Sequence, residues 1–152
     1  LAELDITPLR TREDWEKKQP PPAVKNAQEA MSAADTLVLV FPLWLGDVPA
    51  LLKAFLEQVL RPGFAFTYES NGFPKKLLTR KAARIVVTMG MPALIYRWCF
   101  GAHSIRSLRR NILAFVGVKP VATTIIGGVE TIRDAARKTW LDEMRRFGRN
   151  AT

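Results

Sequence analysis

The apolar positions of this chain fall into short unbroken runs and helix-spaced sets, punctuated by proline and glycine. One run organises the rest. Thr36 to Phe41 is mostly leucine and β-branched residues, with no polar alternation, the pattern of a strand buried on both faces. Pro42 cannot donate to a ladder and should end that strand. A loop, Leu43 to Val48, then carries Trp44, Gly46 and Asp47. Pro49 suits the first position of a helix, where its missing N–H needs no partner. Leu51, Leu52, Phe55, Leu56 and Val59 follow at helical spacing, and Pro62-Gly63 stops the helix. Strand, loop and helix make half of a βαβ unit. In an open parallel sheet, ligands sit at the loop after a strand's carboxyl end.

The flanking segments extend the pattern. Residues 1–22 are expected to be irregular, because Thr7-Pro8 and Pro20-Pro21-Pro22 interrupt any regular element. Ala23 to Ala34 predicts a short helix with Val24, Ala27, Ala30 and Met31 on one side. Arg61 to Arg80 is a long connection containing Gly63, Gly72 and Pro74, and its Phe64 to Tyr68 stretch is aromatic for a loop. Ala82 to Thr88, with Ile85-Val86-Val87, predicts a second buried strand, followed by a tight loop at Met89-Gly90-Met91-Pro92. Ser104 is placed to cap a helix running to about Val116, with Gly117 as its stop. Val121 to Ile126 predicts a third strand, closed by Gly127-Gly128. A last helix from about Thr131 presents Ile132, Ala135, Ala136, Trp140, Met144 and Phe147 on one face. The order from residue 23 is α-β-α-β-α-β-α. It predicts an α/β domain over 1–152, a doubly wound parallel sheet with helices on both faces.

The stretch FPLWLGDVPALLKAFLEQVLRPGFAF, Phe41 to Phe66, resembles the signature of the flavodoxin-like NAD(P)H:quinone oxidoreductases. That family includes quinone reductases, modulators of drug activity and the flavoprotein subunits of potassium-efflux systems. The resemblance extends more weakly through Lys81 to about Phe147, and back to about Leu1. It implies a five-stranded flavodoxin-like sheet in the order 2-1-3-4-5, with the three strands found here as strands 3, 4 and 5. Strands 1 and 2, and the phosphate-cradling loop after strand 1, have no counterpart in the sequence. The domain is therefore expected to be incomplete at its N-terminal side, leaving the Thr36 to Phe41 strand as an apolar edge.

The resemblance also implies roles. Pro42, Leu43, Trp44 and Leu45 correspond to the first loop that contacts the flavin ring, through backbone N–H groups and the Trp44 side chain. Thr88, Met89, Gly90 and Met91 correspond to the second, usually Thr-Thr-Gly-Gly in quinone reductases. Met91 departs from that pattern. Tyr96 is in register with a tyrosine that hydrogen-bonds the flavin. His103 lies about one residue from the register of a histidine that assists hydride transfer, so both are expected as catalytic residues. Phe66 and Tyr68 match two aromatics that reach across a dimer interface to roof the partner's site. With Trp44 they would line the acceptor pocket. The implied activity is ping-pong hydride transfer from NAD(P)H through FAD or FMN to a quinone, in a homodimer. A regulatory subunit of the potassium-efflux type, or a flavin-free fragment, is the alternative. On the residues alone, Trp44 also fits a packing aromatic, 88–91 an ordinary β–α turn, His103 a polar helix-start residue, and Phe66 and Tyr68 local packing.

Composition narrows this further. At 152 residues and 48% apolar, the chain suits one folded core. Its net charge of +9, from 23 Lys and Arg against 14 Asp and Glu, comes from basic residues spread through the last half rather than clustered in one stripe. It fits a solvated surface that attracts phosphorylated cofactors better than a nucleic-acid stripe. No apolar segment is long enough to span a membrane. There is no metal-ligand cluster, Walker glycine loop or Ser-His-Asp pattern. The single cysteine, Cys99, excludes an intrachain disulfide, favours a cytoplasmic setting and is expected to be a buried, inert thiol.

Overall fold

The described residues of the computed structural model are 1, 4, 6–69 and 72–150. In chain order the elements are α1 (Arg12–Glu16), α2 (Pro22–Ala33), β1 (Thr36–Pro42), α3 (Ala50–Val59), β2 (Phe66–Tyr68), β3 (Pro74–Lys76), β4 (Ala82–Thr88), α4 (Ala93–Trp98), α5 (His103–Ser107), a π-helical segment (Leu108–Leu113), α6 (Ala114–Val116), β5 (Val121–Ile126) and α7 (Asp134–Asn150). The elements 103–116 run on as one helix, ended by Gly117 at φ 109°. Residues 151 and 152 of the expected 1–152 span, residues 2, 3 and 5 of its N-terminal stretch, and residues 70 and 71 of the 61–80 connection lie outside the described residues.

The three expected strands form one parallel sheet in the order β1-β4-β5. Thr36 pairs with Ala82 and Pro42 with Thr88, while Ala83 pairs with Val121 and Thr88 with Ile126. Parallel partners in register point to the same side. Phe41, Ala83, Ile85, Val87 and Ile125 therefore share one face, and they join Leu56, Val59, Leu108 and Leu113 in the core. That face is covered by α3 and helix 103–116. The other face meets α7, where the Arg84 guanidinium lies 3.7 Å from the Phe147 ring centroid. Helices thus lie on both faces, as the apolar pattern predicts.

β1 departs from its expectation of burial on both sides. Its inward residue Phe41 is buried, but Val38 and Val40 are 63% and 67% exposed. Among the described residues β1 pairs only with β4, so this strand is the apolar edge that the resemblance implies. Central β4 has no such open side.

The N-terminal stretch is not wholly irregular. Thr11 caps α1 by accepting from the Asp14 amide at 3.1 Å, and its own amide donates to Asp14 Oδ2 at 3.2 Å. This capping box offsets the shortness of a five-residue helix. Arg61 then fastens α1 to α3. Its guanidinium donates to the Asp14 and Lys18 carbonyls at 3.1 and 2.6 Å, to the Gln58 carbonyl at 3.0 Å and to the Gln58 side chain. Burial lowers the pKa of Arg61, with the charge of Asp14 opposing.

Three other boundaries differ from the sequence reading. The connection 61–80 contains the antiparallel pair β2–β3, Phe66 to Lys76 and Tyr68 to Pro74. Pro49 is the cap before α3 rather than its first residue. The last helix begins at Asp134, three residues later than expected, with Thr131 held in a turn by its amide bond to the Gly128 carbonyl at 3.0 Å.

Candidate functional site

The loops at the carboxyl ends of β1 and β4 leave the sheet side by side. Pro42 is in register with Thr88, and the Leu43 amide donates to the Thr88 carbonyl at 2.8 Å. The 42–47 loop then folds back on itself. Trp44 and Asp47 exchange backbone hydrogen bonds at 3.0 and 2.9 Å, with Leu45 at φ 49° and Gly46 at φ 80° between them. Two central residues with positive φ make this a tight turn of the I′ kind. A leucine strains there, where glycine or asparagine would not. Leu45 is nevertheless fully exposed, and Trp44 is 63% exposed. Strain combined with an exposed apolar tip points to a contact surface.

That tip faces a concavity of about 440 Å³. Trp44, Leu45 and Asp47 line one wall. Ser104, Ser107 and Leu108 of helix 103–116 line the other, and Pro49 with Ala50 and Lys53 of α3 completes it. The leucine and tryptophan suit one face of a flat ring system. Of the expected backbone donors Leu45 remains, because the Leu43 and Trp44 amides are committed to protein carbonyls. The Leu45 and Gly46 amides bond no protein group among the described residues. Gly46, inside the same turn, adds a second such amide that the sequence reading did not single out. This wall fits the ring end of a flavin.

The second loop is tied differently. Met89 is buried, and its amide donates to the Ile126 carbonyl at 3.0 Å. The Gly128 amide donates to the Met91 carbonyl at 3.1 Å, and a Cβ on Gly127 would lie 2.3 Å from the Ala93 nitrogen. Close backbone packing of 88–91 against 127–129 is what requires glycine at 127. Gly90 is exposed beside the Glu130 carboxylate, while Thr88 and Met91 are half-buried. None of 88–91 lines the concavity.

Tyr96 lies behind the wall rather than on it. Its side chain is 1% exposed and its hydroxyl is 2.5 Å from Ser104 Oγ. Ser104 is therefore a partner for Tyr96, and the cap position falls to Ala102 at φ 48°. His103, next to Ser104, is exposed, and its ring packs on Gly101, where a Cβ would lie 2.8 Å from Nε2. Phe66 does not reach outward. It is 1% exposed within its own chain, with ring centroids 5.8 Å from Trp15 and 4.9 Å from Phe115. Tyr68, edge-on to Phe66 at 5.4 Å, remains exposed.

Cys99 is exposed, contrary to expectation. The apolar neighbours Trp98 and Phe100 are themselves exposed, and only Tyr96 of one-turn α4 is buried. The basic residues are also less scattered in space than in sequence. Arg106, Arg109 and Arg110, at i, i+3 and i+4, join Lys119 around a shallow groove of about 810 Å³. It lies on the flank of helix 103–116 away from Ser104 and Ser107. No group of three His, Cys, Asp or Glu among the described residues is placed to hold a metal. No described helix is long and apolar enough to cross a membrane.

The sequence pattern of the flavodoxin-like fold family matches residues 1–147. The chain belongs to that family. Among its flavodoxin-like relatives, an uncharacterised NAD(P)H oxidoreductase of Haemophilus influenzae is 29% identical over 147 residues, covering 93% of this chain and 72% of the relative. An FMN-dependent NADH:quinone oxidoreductase of Hahella chejuensis is 36% identical over 93 residues, covering 61% of this chain and 43% of the relative. The NAD(P)H:quinone oxidoreductase from Methanothermobacter marburgensis superposes with a TM-score of 0.76 at 31% identity, covering 88% of this chain and 67% of that one. The chain thus spans under half the length of some curated relatives and about two thirds or more of others. These matches bear out the resemblance to the flavodoxin-like NAD(P)H:quinone oxidoreductase family.

Proposed function

We propose that this chain forms the flavin-ring and acceptor end of an FMN-dependent NAD(P)H:quinone oxidoreductase. The supporting observation is the strained, apolar, exposed turn at Trp44 to Asp47, bound to the second loop through Leu43 and Thr88. FMN is favoured over FAD because several relatives are named as FMN-dependent. Flavin, when bound, accepts a hydride from NAD(P)H and returns two electrons to a quinone.

The chain's own residues supply position and surroundings. Trp44 and Leu45 would hold one side of the ring and keep water from it. The Leu45 and Gly46 amides, which bond no protein group among the described residues, would be the donors to its polar edge. Exposed Gly90 lets a flat ligand approach the second loop, with Thr88, Met89 and Met91 shaping the backbone there. Tyr96 acts as a positioning residue, holding Ser104 and so the start of helix 103–116. His103, exposed beside it, is the proton donor or acceptor for the quinone oxygen. The Arg106, Arg109, Arg110 and Lys119 groove adds long-range attraction for the anionic dinucleotide.

Exposed Tyr68, Leu94, Trp98 and Phe100 support a homodimer, with Tyr68 rather than Phe66 available to the partner's site. The test is NADH- or NADPH-dependent reduction of a simple quinone with added FMN. Turnover that falls about tenfold or more in Trp44→Ala supports the reading, and absence of turnover in the wild-type chain counts against it.

A further inference from the structure

The concavity beside Trp44 does not end at α3. A second cavity, about 340 Å³, lies further down the same pair of helices, and the two share Lys53 and Ile112. Sharing those two residues, they adjoin along the trench between α3 and helix 103–116. From Ala50 to Leu60 it follows about 15 Å of helix rise.

The two ends differ in chemistry. At the upper end stand Trp44, Asp47, Ser104 and Ser107. At the lower end the wall is apolar: Leu9, Trp15, Leu56, Leu60, Phe66 and Phe115. Polar groups return only at the mouth, where Lys53 pairs with Glu57 and Asn111 is exposed. The π-helical segment, Leu108–Leu113, falls where the two halves join. Its residue Ile112 lies at the junction, and such segments recur at functional sites.

The lower end is roofed by the N-terminal segment, which the chain anchors with unusual care. Arg61 holds the Asp14 and Lys18 carbonyls, and Gln58 Nε2 donates to the Thr7 carbonyl at 2.7 Å. These bonds keep Leu9 and Trp15 over the cavity.

We propose that the trench is one site in two parts and that its substrate is a quinone bearing an apolar side chain. The ring occupies the Trp44–Ser104 end. The tail occupies the cavity beneath Leu9 and Trp15. The ring half rests on the quinone-reductase reading; the tail half rests on the cavity's own shape and lining.

The test is a set of quinones with one ring and tails from methyl to hexyl, their dissociation constants measured by equilibrium dialysis without NAD(P)H. Each buried methylene is expected to tighten binding about fourfold until the cavity is full. In Leu9→Asp, which sets a carboxylate among the tail contacts, that dependence should collapse while the methyl compound binds as before. Affinity independent of tail length in the wild-type chain overturns the proposal, as does a dependence that survives in Leu9→Asp. Tail-dependent binding in a chain that never oxidises NAD(P)H would keep the tail site and remove the oxidoreductase reading. Turnover with equal KM for methyl and hexyl compounds would do the reverse.

Discussion

The Tyr96 hydroxyl lies 2.5 Å from Ser104 Oγ, with both side chains buried. The bond joins α4 to the first turn of helix 103–116, immediately beside His103. Either single deletion leaves a buried hydroxyl without its partner. Tyr96→Phe and Ser104→Ala should each cost about 1–3 kcal/mol, and the double variant clearly less than their sum. Denaturant unfolding of the four proteins measures the coupling. Activity gives a second reading. If Tyr96 acts by positioning, Tyr96→Phe should lower turnover in the wild-type background but add little on top of Ser104→Ala.

Leu45 holds a left-handed backbone with its side chain in solvent. Leu45→Gly relieves that strain but gives the unfolded chain more freedom. The variant should be neutral or more stable by up to about 1 kcal/mol. Losing the apolar cover should at the same time weaken FMN binding about tenfold. Thermal unfolding and flavin titration on the same sample separate the two effects.

These two sites show what the chain's pattern discloses. β4 and β5 match their expected bounds because the apolar runs Ile85-Val86-Val87 and Ile125-Ile126 supply their buried positions. Gly117 marks the helix stop for a local reason, its φ of 109°. α1 was hidden because its signal is a single capping box, Thr11 with Asp14, between prolines that argue for irregular chain. Tyr96 and Cys99 reverse their expected exposure because one turn of helix gives no periodicity to separate an inner from an outer face. Phe66 looks like an outward aromatic until Trp15 and Phe115, distant in sequence, are seen to enclose it. The basic groove escaped notice because Lys119 joins the three arginines only through the fold.

Arg61 replaces water with four protein acceptors, and its removal should loosen the whole N-terminal cover. Arg61→Met keeps the apolar stem and deletes the donors. A destabilisation of about 2–4 kcal/mol is expected from charged hydrogen bonds lost around a buried position. Protease sensitivity should rise first between Thr11 and Lys18, measured by mass spectrometry of early cleavage products.

Asp14 responds to pH in a defined direction. Its pKa is lowered, chiefly by the hydrogen bond with Thr11 and opposed by partial burial. A carboxylate depressed in the folded state adds stability above its ordinary pKa, and that contribution is lost as pH falls through the folded value. Asp14→Asn should therefore lower Tm at neutral pH, with the gap to wild type closing in acid below the ordinary carboxylate range. A gap that persists unchanged in strong acid would assign the effect to something other than this ionisation.

The central claim is that the Trp44 turn and its neighbouring loop hold a redox-active flavin. The most direct measurement is a visible absorbance spectrum after adding FMN, removing the unbound dye and excluding oxygen. NADH and then a quinone are added in turn. The account predicts a retained flavin band that NADH bleaches and the quinone restores. Protein that emerges colourless, or a band that NADH leaves unchanged, would contradict it.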